Sequence, residues 1–454
     1  MQFSQALRLG KTPRIAFVGA GGKTTAIAKL AKELSSPVII TTTTHLGTWQ
    51  STIADQHIIV EADSDLGKIE LNLGGITIIT GKTEADRLTA LNARQLDQLY
   101  DICEKQNLPL LIECDGSRQR PIKAPAENEP VIPSFVETVV VVTGLTGLGK
   151  PLDHLVVHHP DIYSELSGLP KGETISLESL EKVLCHEHGG VKKIPAQAKK
   201  VLLLNQADSI LIQTQARTLA GKIGKSYDSI IVSELKNNII HAVFEPCAAI
   251  ILAGGQSSRF GQTKQLLNFQ GIPFIRAIVK SAINSNLTPI IVVTGADAES
   301  VRNAITDLSG EIMIINNPDW QEGQSSSIRV GIKALQDTKR IYPIGETISK
   351  ASRSCGSAIF LLADQPRTSP AILRALFEEH CRTFTAVISP LVDGKRGNPV
   401  IFDRITFPNL LELKGDIGGR GIFPKYPPKY IPWDDSSPLD DIDTLEDYER
   451  LMIE

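Results

Sequence analysis

The sequence predicts two consecutive α/β domains, each a mostly parallel sheet with helices on both faces. Three observations lead to this. At 454 residues the chain exceeds what one hydrophobic core commonly organises. Apolar runs of four to eight residues alternate with helix-spaced stretches, as strand–helix–strand units require. Two glycine-rich turns, at residues 19–22 and 254–261, each follow such an apolar run. The strand–helix rhythm restarts around NNIIHAVFEPC (237–247), so the boundary is placed there, giving domains of residues 1–244 and 245–454.

Composition narrows the function. Hydrophobic residues make up 42% and charged residues 22%, ordinary for a soluble globular protein. The net charge of −4 and the lack of a long basic run argue against nucleic acid or an anionic membrane as partner. No apolar stretch approaches the ~18–20 residues that span a bilayer. The opening MQFSQALRLGKTPRI has no hydrophobic signal core, so a cytosolic chain is expected. Six cysteines, none in a CxxC pair, read as reduced structural thiols.

In the first domain, Ile15 to Val18 reads as a buried strand, and Ile27, Leu30, Ala31 and Leu34 share one helical face. Between them lies GAGGKTT. The full Walker pattern would need glycine at position 17, where Phe17 stands, so this is a shorter phosphate loop, similar to that of the amide ligases of cell-wall synthesis. Gly19, Gly21 and Gly22 are expected to expose N–H groups, Lys23 to reach a β/γ-phosphate, and Thr24, with Thr25 beside it, to ligate Mg²⁺ at a helix N-terminus.

Pro37 to Ile40 is the next strand, ending in TTTTH (41–45), where hydroxyls either face a ligand or continue the strand. Leu108 to Cys114 follows, closed by Asp115, a carboxylate placed to hold a Mg²⁺-bound water beside the loop. Arg118, Arg120 and Lys123 come next, as phosphate contacts or as a solvated loop. Val139 to Val142 is a further strand. Val201 to Leu204 ends in NQAD, similar to the NKxD of guanine-binding GTPases, with Asn205 and Asp208 in the base-reading positions and glutamine replacing the lysine. His154, His158, His159, His186 and His188 match no metal spacing.

In this order, GAGGKTT, TTTTH, ECDGSRQRPIKAPAENEPVIP, GLTGLGKPL and LLLNQAD resemble the YqeC family over about residues 12–235. The resemblance implies a P-loop-type nucleotide-binding accessory protein for selenium-dependent molybdenum hydroxylases, and hence such an enzyme as client.

The second domain opens with AIILAGGQSSRFGQTKQLL (249–267): a buried strand, Gly254 and Gly255 where a backbone can approach a ligand, then Arg259 and Lys264 as fixed positive charge. Pro273 to Ile283 reads as a helix, and Pro289 to Val293 and Ile312 to Ile315 as strands. Gly323 and Ser325 to Ser327 precede a further helix, as caps or as base and ribose contacts. Residues 338–356 look like a polar insertion. Ile359 to Ala363 leads to Asp364, the best Mg²⁺ candidate of this half. DGKRGNPVIF, LKGDIGGRGIF and the acidic WDDSSPLDDIDTLEDYERL follow; the acidic residues of the tail either only start a helix or, through one of Asp441 and Asp443, complete the metal site opposite Asp364.

These motifs resemble the MocA-like molybdenum cofactor cytidylyltransferases over about residues 247–454. The resemblance implies a Rossmann-like nucleotidyltransferase of the glycosyltransferase-A kind. It assigns Leu252, Ala253, Gly254, Gly255, Arg259, Lys264 and Ser326 to the nucleotide, with Arg259, Lys264 and Asp364 as catalytic groups. Asp364 and Asp443 would hold Mg²⁺, and Gly397, Asn398, Asp416 and Arg420 would lie near the pterin acceptor. LAGG is the spelling of the guanylyl relatives, whereas KQLL and RGNPVIF look cytidylyl, so CTP is favoured and GTP stays open. The expected reaction joins CTP and molybdopterin with loss of pyrophosphate. A sugar 1-phosphate acceptor, or a GTP-dependent delivery chaperone in the first half, are the rival readings.

Overall fold

A computed structural model describes residues 1–35, 37–62, 66, 75–84, 87–256, 263–337 and 355–453. The chain forms two compact units, Met1–Phe244 and Glu245–Glu454. Strands of the two main sheets and the principal helices are numbered in chain order.

The first unit is built on nine strands: β1 (Arg14–Gly19), β2 (Val38–Thr42), β3 (Gln56–Ile59), β4 (Ile76–Thr80), β5 (Leu110–Glu113), β6 (Thr138–Gly144), β7 (Lys199–Asn205), β8 (Ser229–Glu234) and β9 (Ile239–Phe244). Their order across the sheet is β9-β8-β7-β6-β1-β5-β2-β4-β3, parallel throughout except for the β8–β9 edge. The central strands are buried along nearly their whole length, which is why they read as unbroken apolar runs rather than alternating ones. Part of the stretch read as a boundary is therefore the edge strand β9.

Helix α1 (Lys23–Glu33) buries Ala26, Ile27, Leu30 and Ala31. Helix α2 (Ala93–Gln106) starts where Asn92 accepts from the Gln95 amide and buries Leu96, Leu99 and Cys103. Arg14, 1% exposed, ties the start of β1 to the end of α2 through Glu104 at 2.6 Å and the Leu108 carbonyl at 2.6 Å. Helix α3 (Ile210–Ile223) is capped by Ser209.

The second unit has β10 (Cys247–Ala253), β11 (Ile290–Thr294), β12 (Met313–Asn316), β13 (Ser357–Leu362), β14 (Val387–Val392), β15 (Lys395–Arg396), β16 (Val400–Asp403) and β17 (Lys429–Pro432). The order is β12-β11-β10-β13-β16-β14-β15, with β17 added to β14. β10 to β13 run parallel, β16 is antiparallel to both of its neighbours, and β17 is parallel to β14. Helices α4 (Phe274–Ile283) and α6 (Pro370–Thr383) belong to one apolar cluster, and α5 (Gln324–Gln336) to another. Helix α7 (Leu445–Ile453) contributes Leu451 to a small cluster with Leu267, Phe274 and Ile442. The insertion read at 338–356 lies almost wholly outside the described residues.

Candidate functional site

In the first unit the carboxyl ends of the parallel strands β1, β5, β6 and β7 converge, the place where open α/β sheets bind ligands. Gly21 and Gly22 adopt φ of +82° and +127°; a Cβ on Gly21 would lie 2.7 Å from the Pro121 carbonyl, and one on Gly22 would meet the Asn205 side chain. Only glycine fits either position. The expectation that Gly19, Gly21 and Gly22 all present free N–H groups needs correction. Gly19 donates to Asp115 at 3.0 Å, Ala20 to the Val142 carbonyl at 2.8 Å, and Gly21 to the Arg120 carbonyl at 3.1 Å. What remains for an anion is the Gly22 amide and the first turn of α1, beginning with Lys23, Thr24 and Thr25.

Lys23, 4% exposed, donates to the Gly19 carbonyl at 2.5 Å and pairs with Asp115 at 3.2 Å. Burial alone would lower its pKa, but Asp115 and then Glu113 outweigh it and hold the ammonium above its usual value. Asp115 is enclosed by Lys23, Lys123 and the Gly19 amide. The carboxylate nearest the Thr24 hydroxyl is instead Glu113, at 3.5 Å, with Gln50 bridging the two at 2.7 and 3.3 Å. Burial raises the Glu113 pKa, opposed by Lys23 and assisted by Asp115. Sequence reasoning passed over Glu113 because it chose the acid after the strand; ECDG carries one at each alternate position, and alternate positions share a face.

Asn205 donates to the Gly21 carbonyl at 2.9 Å and accepts from Ser233 and the Leu235 amide. It ties β7 and β8 to the loop. Asp208 is exposed, and Gln206 bonds Thr146 at 2.5 Å.

In the second unit β10 delivers Leu252, Ala253, Gly254 and Gly255 to the carboxyl edge, where a Cβ on Gly254 would stand 2.9 Å from the Ser327 hydroxyl. Arg259 lies outside the described residues. Gln265 donates to the Gly255 carbonyl at 3.2 Å, and Lys264 bonds Asp443 at 2.7 Å. Asp364 follows β13, partly buried. Burial, then the Asp441 carboxylate, pushes its carboxyl up to about 6, with Lys264 opposing and Asp443 adding less. Asp441 is itself raised by burial and by Asp443. Ile442, 3% exposed, anchors the segment between the two tail aspartates. Among the described residues, Lys264 is thus the ammonium that acts on all three carboxylates, and Asp441 acts on Asp364 more strongly than the expected Asp443.

A cavity of about 340 Å³ adjoins these groups, lined by Leu252, Gln324, Arg396, Asn398, Asp416, Arg420 and Asp441 with aromatic walls. Asp416 accepts from the Gln324 amide at 3.2 Å, so it also caps α5. Arg396 lies over the Phe423 ring at 5.1 Å. Of the residues expected at the acceptor, Asn398, Asp416 and Arg420 line the cavity and Gly397 does not; of those expected at the nucleotide, Leu252 lines it and Ser326 does not. Gly397 is packed where a Cβ would strike Pro438, and Ser326, 2% exposed, spends its hydroxyl on Asn317 at 2.8 Å and the Gly323 carbonyl at 2.8 Å. Gln324, two residues before Ser326, lines the cavity.

Comparison with known proteins follows this division. The YqeC protein family matches residues 15–161, and the MobA-like NTP transferase domain matches residues 249–429. The uncharacterised protein YqeC of Escherichia coli K12 is 29% identical over 211 residues, covering 44% of this chain and 80% of that protein. The purine catabolism protein PucB of Bacillus subtilis 168 is 31% identical over 208 residues, covering 44% of this chain and 94% of that protein. A molybdenum cofactor cytidylyltransferase of Escherichia coli K12 is 33% identical over 87 residues, 19% of this chain and 44% of its own length. A probable molybdenum cofactor guanylyltransferase of Bacillus anthracis CDC 684 / NRRL 3495 is 27% identical over 151 residues, 33% of this chain and 64% of its own length.

Proposed function

We propose that this chain, which belongs to the YqeC family through residues 15–161 and to the MobA-like NTP transferases through residues 249–429, transfers a cytidylyl group from CTP to molybdopterin in the cytosol and releases pyrophosphate. The observation that carries the reading is the junction of Lys264, Asp364 and Asp441 with a cavity that holds Asn398, Asp416, Arg396 and Arg420. The cytidylyltransferase relative supports CTP; the guanylyltransferase relatives and the LAGG spelling make GTP the competing donor.

The donor set fits a magnesium ion. Among the described residues no three ligating side chains form a complete cage, and magnesium commonly takes one or two carboxylates plus substrate phosphate oxygens. The raised Asp364 carboxyl marks a carboxylate short of positive charge. Asp364 with Asp441 or Asp443 would hold the ion, which when bound neutralises triphosphate charge.

Glycines 254 and 255 let the triphosphate approach β10, and Lys264 turns from Asp443 to the phosphates. Arg396 and Arg420 hold an anionic acceptor, and the aromatic walls suit a planar ring system. The acceptor phosphate is already an anion, so alignment and charge neutralisation suffice without a strong general base. The acceptor oxygen forms the new bond to the α-phosphorus as the bond to the β-phosphate bridging oxygen breaks.

The first unit is proposed as a nucleotide-binding accessory domain, Lys23 and the start of α1 facing the phosphates, that serves maturation of a molybdenum hydroxylase. Incubating the full chain with Mg²⁺, molybdopterin and either CTP or GTP, and measuring pyrophosphate, tests the reading. CTP-dependent release is expected. Release only with GTP would correct the base, and release only with a sugar 1-phosphate would replace the acceptor.

A further inference from the structure

Lys23 and Lys123 approach the same carboxylate from two sides. The Lys23 ammonium donates to the Gly19 carbonyl at 2.5 Å and lies 3.2 Å from Asp115 Oδ1, with Glu113 further off at an ion-pair distance of 3.9 Å. A nucleotide phosphate that takes this lysine competes with these groups, and the negative partners repel the incoming anion. Asp115 is 2% exposed. Were Lys23 its sole cation, losing it would leave a carboxylate buried to that degree unpaired and strongly destabilising, and Lys23 would stay locked to it.

Lys123 removes the difficulty. Its ammonium reaches the other oxygen, Asp115 Oδ2, at 3.0 Å, with Glu129 at 2.7 Å and the Gly116 carbonyl at 2.5 Å. Its side chain is 1% exposed. The backbone at this point pairs with a short strand outside the main sheet, Lys123 opposite His158 and Ile122 opposite Val157. Lys123 is therefore a fixed cation, fully engaged where it is. When Lys23 turns away, Asp115 keeps Lys123 and the Gly19 amide.

We propose that Lys123 is a positioning residue of the N-terminal nucleotide site: it holds Asp115 paired, so that Lys23 is released to the phosphates of a nucleoside triphosphate. The inference rests on the reading of the first unit as a nucleotide-binding domain, and it assigns a role to a lysine that touches no substrate.

The test is titration calorimetry of the full chain with Mg-ATP and with Mg-GTP, taking the component lost in Lys23→Met as the N-terminal site. Lys123→Met should weaken that component by about 10- to 100-fold, the range expected from losing a hydrogen bond to a charged group. Adding Asp115→Asn to Lys123→Met should restore affinity to within about threefold of Asp115→Asn alone, because the neutral amide no longer holds Lys23. A merely structural lysine would give no such rescue. Wild-type affinity in Lys123→Met, or a double variant as weak as Lys123→Met, overturns the proposal while leaving the nucleotide site standing. If Lys123→Met does not fold, Asp115→Asn is compared with the double variant directly: equal affinities support the proposal and a tenfold loss in the double overturns it. No component sensitive to Lys23→Met with either nucleotide overturns the N-terminal reading itself and the inference with it.

Discussion

Asp364→Asn should stabilise the metal-free protein at neutral pH while removing its activity. Burial and the Asp441 carboxylate push the Asp364 carboxyl up to about 6, against about 3.9 for an aspartate in an unfolded chain. A raised native pKa means that the folded state binds this proton more tightly than the unfolded state. The stability it contributes is fully present below about pH 4 and is lost as the pH rises through about 6. At about 1.4 kcal/mol per pKa unit, the folded state loses about 2–3 kcal/mol by pH 7. Solvent screening at a partly buried group reduces this, and asparagine, similar in shape and uncharged, should recover about 1–2 kcal/mol. The assay is urea denaturation after chelation, in a full chain carrying Trp49→Phe so that Trp320 and Trp433 report on the second unit. The variant should be the more stable at pH 7.5, the gap should shrink on acidification and close only below about pH 4, and Mg²⁺ should narrow it at pH 7.5 by stabilising only the protein with the aspartate. Equal midpoints and slopes for the two proteins at pH 7.5 without metal would refute the reasoning.

Four further outcomes follow from the same geometry. Lys264→Ala should lower kcat for pyrophosphate release about 10²- to 10³-fold with stability within about 1 kcal/mol of wild type, and near wild-type turnover would sink the catalytic assignment. Asp441→Asn should cost more activity than Asp443→Asn, since Asp441 acts more strongly on Asp364; steady-state rates in the reverse order would return the metal role to Asp443. Arg420→Ala and Arg396→Ala should each raise the acceptor KM about tenfold or more with the CTP KM unchanged, and a shift in the CTP KM alone would move both arginines to the nucleotide side. Gly21→Ala should destabilise the first unit by about 1–3 kcal/mol, because φ of +82° is strained for alanine and its Cβ would meet Gly144 and the Pro121 carbonyl; an unchanged thermal midpoint for that unit would show that the loop relaxes freely.

Strands were legible where both faces are buried, because there the apolar run is the strand. Val139 to Val142 announced β6, and Ile15 to Val18 announced β1. Ile239–Phe244 was less legible: an antiparallel edge strand, fully buried only at Ala242 and Val243, looked like a linker. At the sites, residues tied to backbone conformation could be read directly, since the demand for glycine at positions 21 and 22 is local. Partner choice could not. Whether Glu113 or Asp115 faces Thr24, or whether Asp441 or Asp443 presses on Asp364, depends on side-chain direction across strands far apart in sequence. Ser326 misled for the same reason: a hydroxyl at a helix start suits a cap or a ligand equally, and the buried Asn317 that claims it sits on another loop.

The topology of the second unit explains how motifs so widely spaced in sequence become one site. β10 and β13 are parallel, so Gly254 and Asp364 leave the sheet at the same edge. β16 runs the other way, with Val400 opposite Phe360, which brings the preceding Asn398 to that edge by its amino end. β14 is antiparallel to β16 and parallel to β17, so the Lys395–Arg396 hairpin and the chain leaving Pro432 toward Asp441 arrive there as well. Had β16 been parallel to β13, Asn398 and Arg396 would lie at the opposite edge, a strand length from the glycine pair. The reversal is therefore what turns a nucleotide-binding half-sheet into a site that can face a donor and an acceptor together. On the proposed function, acceptor specificity belongs to the antiparallel half: exchanging residues 393–423 should change which acceptor is used while the Lys264-dependent step and the base preference stay as they are.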